Sequence, residues 1–418
     1  MRDECTVVSS SLPLSPPHLY RGSPGVATTA PCGTAACAGG PTSHFLGLPS
    51  HAGGVMFHRY GRPRTAPKRQ HPQRTSPAAV GPDTAATDSG NPAGPAEKGS
   101  LWVFAGQGAQ QPHMGTGLSA APELFERVRT AVGLDLDRPC VLDQTPRWDQ
   151  PVVQAAILTI ATASAQVCRV RGARPDAVLG HSFGEYAALV MAGSLSFDDA
   201  VRLAVARGQA MAELADGSTA MAAVIGATNE AVAEVCEELR RGGASVYVAA
   251  YNSPGQAVLA GTGEGLALAA RRLREAGATR TRTLSVPFAA HSPYMKAVQE
   301  RLGQALEGVP IDPPGVPYYS SVTGRRVSRP DELRELLVRS VAEPVRFRQA
   351  IATALSEDYD SVLEVGSDRP PRLLGFISEI CRCDLPERPA PRLGAIAADS
   401  DAPDGRPFVP AGLSAGRC

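Results

Sequence analysis

The sequence predicts an α/β fold built on a parallel sheet with helices on both faces. Three observations lead there. Leu101–Phe104 and Ala177–Gly180 are short apolar runs that read as buried strands. Stretches of helical period follow each strand: Gln154 to Arg171, Glu185 to Ala192 and Phe197 to Leu214. Strands that alternate with helices form a parallel sheet needing cover above and below.

The elements are bounded by a change in composition. Of 37 prolines, 14 lie in the first 100 residues, among Gly, Ser, Thr and Ala and without apolar periodicity. Such a segment cannot bury enough surface to offset its ordering entropy. Residues 1–99 therefore read as a disordered Pro/Gly-rich leader. It holds a basic patch (Arg59, Arg62, Arg64, Lys68, Arg69, Arg74), which is either a solvated tail or a docking tail. Met56 is an alternative start. The folded domain is expected over 100–385, and 386–418 as a flexible tail.

Within the domain, 220–284 reads as a smaller unit. Met221–Ile225, Ser245–Ala250, Gln256–Ala260 and Thr281–Val286 have strand patterns, with helices expected at Glu230–Arg241 and Gly263–Ala276. The order β-α-β-β-α-β is the ferredoxin-like signature.

Composition excludes several functions. With 41 basic and 41 acidic residues the net charge is zero, which argues against a bulk nucleic-acid binder. The nine cysteines are scattered, and Cys381-Arg-Cys383 has no partner cluster, so no zinc framework, metal or cofactor is expected. A reducing cytoplasm is the simplest setting. No apolar run reaches the roughly 18–20 residues of a membrane span, and the N-terminus lacks a secretory pattern.

Gly180-His-Ser-Phe-Gly184 is a GxSxG sequence between a strand and a helix, the context a nucleophile elbow requires. Its glycines are expected to permit the sharp turn that lifts the Ser182 hydroxyl off the sheet. A serine at neutral pH needs a general base. Five of the eight histidines fall in the leader, and His181 is adjacent to the serine and expected to point elsewhere. Downstream of Ser182 only His291 remains. In the helix near 198–214, Leu203, Arg207, Met211 and Leu214 share one apolar stripe. Arg207 must then have a partner, since an unpaired buried charge is costly. The partner is either an internal carboxylate or a substrate carboxylate held in a bidentate fork. Arg202 faces elsewhere and is expected in solvent. Phe104-Ala-Gly-Gln-Gly-Ala-Gln110 fails as a phosphate loop, because position 111 is Gln and no GK[ST] follows. A backbone loop close to a reacting carbonyl suits it better.

Together these motifs resemble the malonyl-CoA:acyl-carrier-protein transacylase family, which includes the acyltransferase domains of polyketide and fatty acid synthases. The resemblance spans Leu101 to Cys381. It rests on FAGQGAQ (104–110), Val153–Leu158, GHSFGEYAAL (180–189), Arg207-Gly208, Tyr251–Gln256, Ala290–Pro293, Tyr319–Gly324 and Pro344–Phe347, all in the family's order. The resemblance implies an α/β-hydrolase-like large subdomain carrying the inserted ferredoxin-like one. It implies Ser182 as the acylated nucleophile and His291 as general base and then acid. It implies an oxyanion hole from the backbone N–H groups of Gln107 and Phe183. Arg207 would bind the malonyl carboxylate, with Gln154 nearby and Asn252 in the same cleft. A backbone carbonyl near Ser340 would steady His291. The partners implied are malonyl-CoA or a related acyl-CoA, an acyl carrier protein, and polyketide synthase modules served in trans.

Two departures stand out. Ala290 precedes the histidine where Phe tends to accompany malonyl selection, which leaves room for an α-alkyl branch. Glu364–Pro371 stands where the family favours EVGPG. Two other readings stay open at this level: a hydrolase, either a true α/β-hydrolase or an editing acyl-thioester hydrolase of the same fold, and a non-catalytic docking domain.

Overall fold

The computed structural model describes residues 99–146, 148–357, 359–366 and 371–396. The leader's basic patch and Met56 lie outside the described residues, as do 397–418 of the tail.

The core sheet begins with β1 (Gly99–Phe104) and β2 (Ala177–Gly180), whose side chains from Leu101 to Phe104 and from Ala177 to Leu179 are fully buried. They pair in parallel, Leu101 against Ala177 through Phe104 against Gly180. The sheet grows outward through β7 (Tyr318–Ser320) and β8 (Arg325–Val327) on one side. On the other side come β9 (Tyr359–Val365) and β10 (Arg392–Ile396). The order is β10-β9-β1-β2-β7-β8, parallel throughout except for the antiparallel β7–β8 hairpin. Strand β10 corrects the expectation of a loose tail from residue 386: Arg392–Ile396 run parallel to Ser361–Val365 as an edge strand. Its five residues, flanked by Pro and Ala and interrupted by Gly394, lack the apolar run that marks an interior strand.

Helices α1 (Ala121–Val132), α2 (Gln150–Val170), α3 (Gly184–Met191) and α4 (Phe197–Ala212) follow the first two strands. Ser196 caps α4, its hydroxyl accepting from the Asp199 N–H at 3.1 Å. Helix α2 starts four residues earlier than its period suggests, because Pro151 suits the first turn. It is long and apolar enough to span a membrane by length and composition, which corrects the reading that no segment reaches that size. Most of it is buried among the other helices, where Ile157 and Ile160 join the main core. Toward the C-terminus α7 (Lys296–Ala305), α8 (Pro330–Arg339), α9 (Phe347–Ser356) and α10 (Leu374–Asp384) complete the cover.

The inserted unit runs β3 (Thr219–Ile225), α5 (Asn229–Arg241), β4 (Val246–Ser253), β5 (Gln256–Thr262), α6 (Gly263–Glu275), β6 (Arg280–Thr283). The antiparallel order β4-β5-β3-β6 is the ferredoxin-like arrangement the pattern predicts. Thr228 and Thr262 cap its helices. Its two faces divide as a two-residue period requires. Ala222, Val224, Val246 and Leu259 form a separate small core with α5 and α6. Met221, Ala250, Val258 and Ala260 join the main core instead. The helix-free face of the small sheet thus closes over the large subdomain. Strand β4 extends to Ser253, three residues past its expected end, and carries Asn252 with it.

Candidate active site

The turn after β2 holds Ser182 with φ 54°, a left-handed conformation uncommon outside glycine. The flanking glycines permit the sharp turn as expected, through their lack of a Cβ, since neither has positive φ. A Cβ on Gly180 would lie 2.1 Å from the Glu185 nitrogen, and one on Gly184 would lie 2.1 Å from the Phe104 carbonyl oxygen. They are needed for close approach: strand to helix at Gly180, helix to β1 at Gly184. A Cβ on Gly106 would lie 2.5 Å from the His181 carbonyl, so the 104–110 loop packs directly on the elbow. The amide N–H groups of Gln107 and Phe183 have no acceptor among the described residues. The Gln107 side chain donates to Gln150 Oε1 at 3.1 Å.

Ser182 Oγ lies 2.7 Å from His291 Nε2. On the other side of the ring, Nδ1 lies 3.1 Å from the main-chain carbonyl of Glu343. A carbonyl only accepts, so Nδ1 carries the proton and Nε2 is left to accept from the serine hydroxyl. The Glu343 carbonyl accepts this hydrogen bond, and the main chain of Ser340, where the carbonyl was expected, also acts on the ring; the Ser340 hydroxyl donates to Leu337 O at 2.8 Å. The Glu343 carboxylate turns away to Arg339, at 2.6 and 3.0 Å. Burial, then the nearby Arg207 and His181, push the His291 pKa down to about 3. The imidazole is therefore neutral and ready to accept a proton at any physiological pH.

His181 does point away from the serine. Its Nε2 donates to Asn252 Oδ1 at 2.8 Å, and Asn252 Nδ2 donates in turn to Gln256 Oε1 at 2.6 Å. Burial holds His181 below its ordinary pKa, in the neutral form. Asn252 thus fixes the histidine beside Ser182.

Arg207 is 3% exposed, on the apolar stripe its spacing predicts. Its Nη1 donates to Gln154 Oε1 at 2.8 Å, while its Nε is buried with no partner. No carboxylate lies within ion-pair distance of it among the described residues, although the buried Glu185 acts on it at longer range, so the direct internal-ion-pair reading is not met. Gln154 is oriented by its own donation to Met211 Sδ at 3.4 Å. Gly208 lets α4 and α2 approach closely enough for this contact, since a Cβ there would lie 2.7 Å from the Gln150 carbonyl. Arg202 lies on the solvent side with Asp199, as expected.

Ser182, His291, Arg207, Gln107, His181 and Phe183 line one cavity of about 120 Å³. Its apolar wall includes Met211, Met221, Val258, Phe288 and Ala290. Asn252 and Gln154 lie behind this lining, bonded to His181 and Arg207. Two supports had no signal in the sequence. One is the Glu343 carbonyl, because every residue has a carbonyl. The other is Glu185, which accepts from the Ser321 N–H at 2.7 Å and from the hydroxyls of Ser320 and Ser321, tying α3 to the chain after β7.

A partly buried serine–histidine dyad on an elbow, with open N–H groups beside it, defines an enzyme of nucleophilic acyl chemistry on an α/β scaffold. The chain belongs to the acyl transferase domain family, whose model matches residues 101–368, and within it to the malonyl-CoA:acyl-carrier-protein transacylases. It is 34% identical over 275 residues to the malonyl CoA-acyl carrier protein transacylase of Escherichia coli K12, covering 63% of this chain and 88% of that one. A solved malonyl CoA-acyl carrier protein transacylase from Coxiella burnetii superposes with a TM-score of 0.67 at 29% identity, covering 72% of this chain and 95% of that chain. A malonyl-transacylase solved in complex with its type II polyketide synthase acyl carrier protein matches with a TM-score of 0.65 at 30% identity, over 71% of this chain and 96% of that one.

Proposed function

We propose that the chain transfers a malonyl group, or an α-substituted malonyl group, from CoA to the phosphopantetheine thiol of an acyl carrier protein. The observation that carries this reading is Arg207: a buried guanidinium without a carboxylate partner, lining the same cavity as Ser182 and His291. A buried cation in that state is complete only when an anion arrives. A carboxylate on the acyl group supplies one.

In the first half-reaction Ser182 Oγ attacks the thioester carbonyl while His291 Nε2 takes its proton. The carbonyl oxygen becomes an oxyanion facing the N–H groups of Gln107 and Phe183. Collapse breaks the C–S bond, and His291 returns the proton to the CoA sulfur. In the second half-reaction the carrier thiol gives its proton to His291 and attacks the acyl-serine. The ester C–O bond breaks and the proton returns to Ser182 Oγ. A thioester is an activated acyl group, so the dyad suffices with a main-chain carbonyl in place of a triad carboxylate.

The Glu343 carbonyl behind His291 speaks against a triad α/β-hydrolase, in which an Asp or Glu would stand there, and the presence of Arg207 in the cavity speaks against an editing hydrolase of the same fold. The described cysteines Cys140, Cys168, Cys236, Cys381 and Cys383 are free thiols, in keeping with action in a reducing cytoplasm. The proposed setting is polyketide or fatty acid biosynthesis, with the carrier supplied in trans.

The test is CoA release from malonyl-CoA with and without a phosphopantetheinylated carrier protein, with intact-mass analysis of the enzyme. The expected result is a malonyl adduct on wild type, none on Ser182→Ala, and turnover that requires carrier. Equal turnover with water as acceptor would make the protein a hydrolase, and an adduct that survives Ser182→Ala would overturn the nucleophile.

A further inference from the structure

Resting on the reading that Arg207 receives a substrate carboxylate, we infer that the Phe183 ring is a positioning group for that arginine, and that Phe183 and Tyr186 form an aromatic shelf where no carboxylate stands within ion-pair distance. The Arg207 guanidinium carbon lies over the Phe183 ring, 5.3 Å from its centroid. Tyr186 stacks on Phe183 with centroids 5.0 Å apart and planes 27° from parallel. Both rings are buried, at 2% and 1% exposure. Phe183 is the N-cap of α3 and Tyr186 lies three residues on, so the two rings meet on one side of the helix start.

Such a shelf meets a specific chemical requirement. The site must hold a guanidinium charged and in place while the cavity is empty. A protein carboxylate would do so, but it would occupy the donors meant for the substrate and would have to be displaced. An aromatic face attracts the cation through its quadrupole without accepting any N–H hydrogen bond. The donors divide accordingly. Gln154 takes Nη1, and the Nε/Nη2 edge has no acceptor among the described residues. That edge is one of the forks by which arginine grips a carboxylate bidentately. The side chain of Phe183 therefore has a role distinct from that of its backbone N–H, which faces the reacting carbonyl.

The test compares kcat/KM for malonyl-CoA with that for acetyl-CoA in Phe183→Leu, Phe183→Met and Phe183→Tyr, each made also in an Arg207→Ala background. Cation–π contacts in dry sites imply a fall in the malonyl-to-acetyl ratio of about thirtyfold for Phe183→Leu, mainly through the malonyl KM. Phe183→Met keeps the volume without the ring and should fall similarly; it serves alone if the leucine variant does not fold. Phe183→Tyr keeps the ring and should hold the ratio within about threefold of wild type. In the Arg207→Ala background the Leu and Met changes should alter the ratio by less than about threefold, because the partner is gone. A wild-type ratio in both Leu and Met variants, or an equal fall in both backgrounds, overturns the shelf but leaves the carboxylate site standing. A wild-type ratio in Arg207→Ala itself overturns both.

Discussion

The acid limb of the pH–rate profile is a direct reading of the base. A histidine of ordinary pKa, near 6.5, would be neutral in roughly one molecule in thirty at pH 5, so serine acylation would fall about thirtyfold from its value at pH 7.5. His291 is buried, near Arg207 and beside His181, and its pKa is pushed down to about 3. At pH 5 it is then almost wholly neutral, and kcat/KM should change by less than about twofold between pH 5 and 7.5. The quantity to measure is kcat/KM for Ser182 acylation, by rapid quench and intact mass, because kcat/KM reports the free enzyme. Acetyl-CoA as donor avoids titration of a second carboxylate. Arg207 is the second-largest cause of the depression, so Arg207→Ala should move the acid limb to higher pH. An inflection near 6.5 in wild type, or no movement in Arg207→Ala, would refute the account. The same shift has a linked effect on stability. Below about 6.5 the unfolded chain binds a proton on this residue that the fold refuses until about 3, so this contribution is full above 6.5 and is lost as pH falls through that window.

Other outcomes follow from the packing around the elbow. Gly184→Ala would drive a Cβ to 2.1 Å from the Phe104 carbonyl, a main-chain atom that cannot step aside. It should cost about 3 kcal/mol in urea unfolding and most of the acylation rate, and a variant of wild-type stability would show that β1 and α3 are not in tight contact. Glu343→Ala keeps the carbonyl that holds His291, so acylation should stay within about threefold of wild type. A hundredfold loss would give the carboxylate a role the geometry does not assign. Ala290 lies on the cavity wall. From an equimolar mixture of malonyl-, methylmalonyl- and ethylmalonyl-CoA, wild-type Ser182 should take branched groups as well as malonyl. Ala290→Phe should shift the adduct masses at least about fivefold toward malonyl, and unchanged proportions would remove Ala290 from the selection.

Much of the candidate site was legible because the chemistry proposed for it falls to rare residue types in short local patterns. Ser182 is marked by the strand, turn and helix around it. His291 is marked by scarcity, with His181 held away by Asn252. Arg207 is marked by helical spacing, which puts a charge on an apolar stripe that can be read without coordinates. The ferredoxin-like unit was legible for the same reason, since its strands and helices have clear periods and each lies near its expected place.

Tertiary structure decided what depends on atoms far apart in sequence or common to every residue. Strand β10 is held by pairing with β9, although its own sequence reads as tail, because an edge position asks little of its side chains. The carbonyl behind His291 comes from Glu343, and main-chain oxygens carry no signature in sequence. The glycines around Ser182 answer to Phe104 and Glu185 across the elbow, with no positive φ to require them. The sequence alone required that Arg207 have a partner; only the fold showed an amide oxygen, an aromatic face and an open edge. The reason is that a charge can be placed on a face by local periodicity, whereas what meets that face is set by the packing of elements distant along the chain.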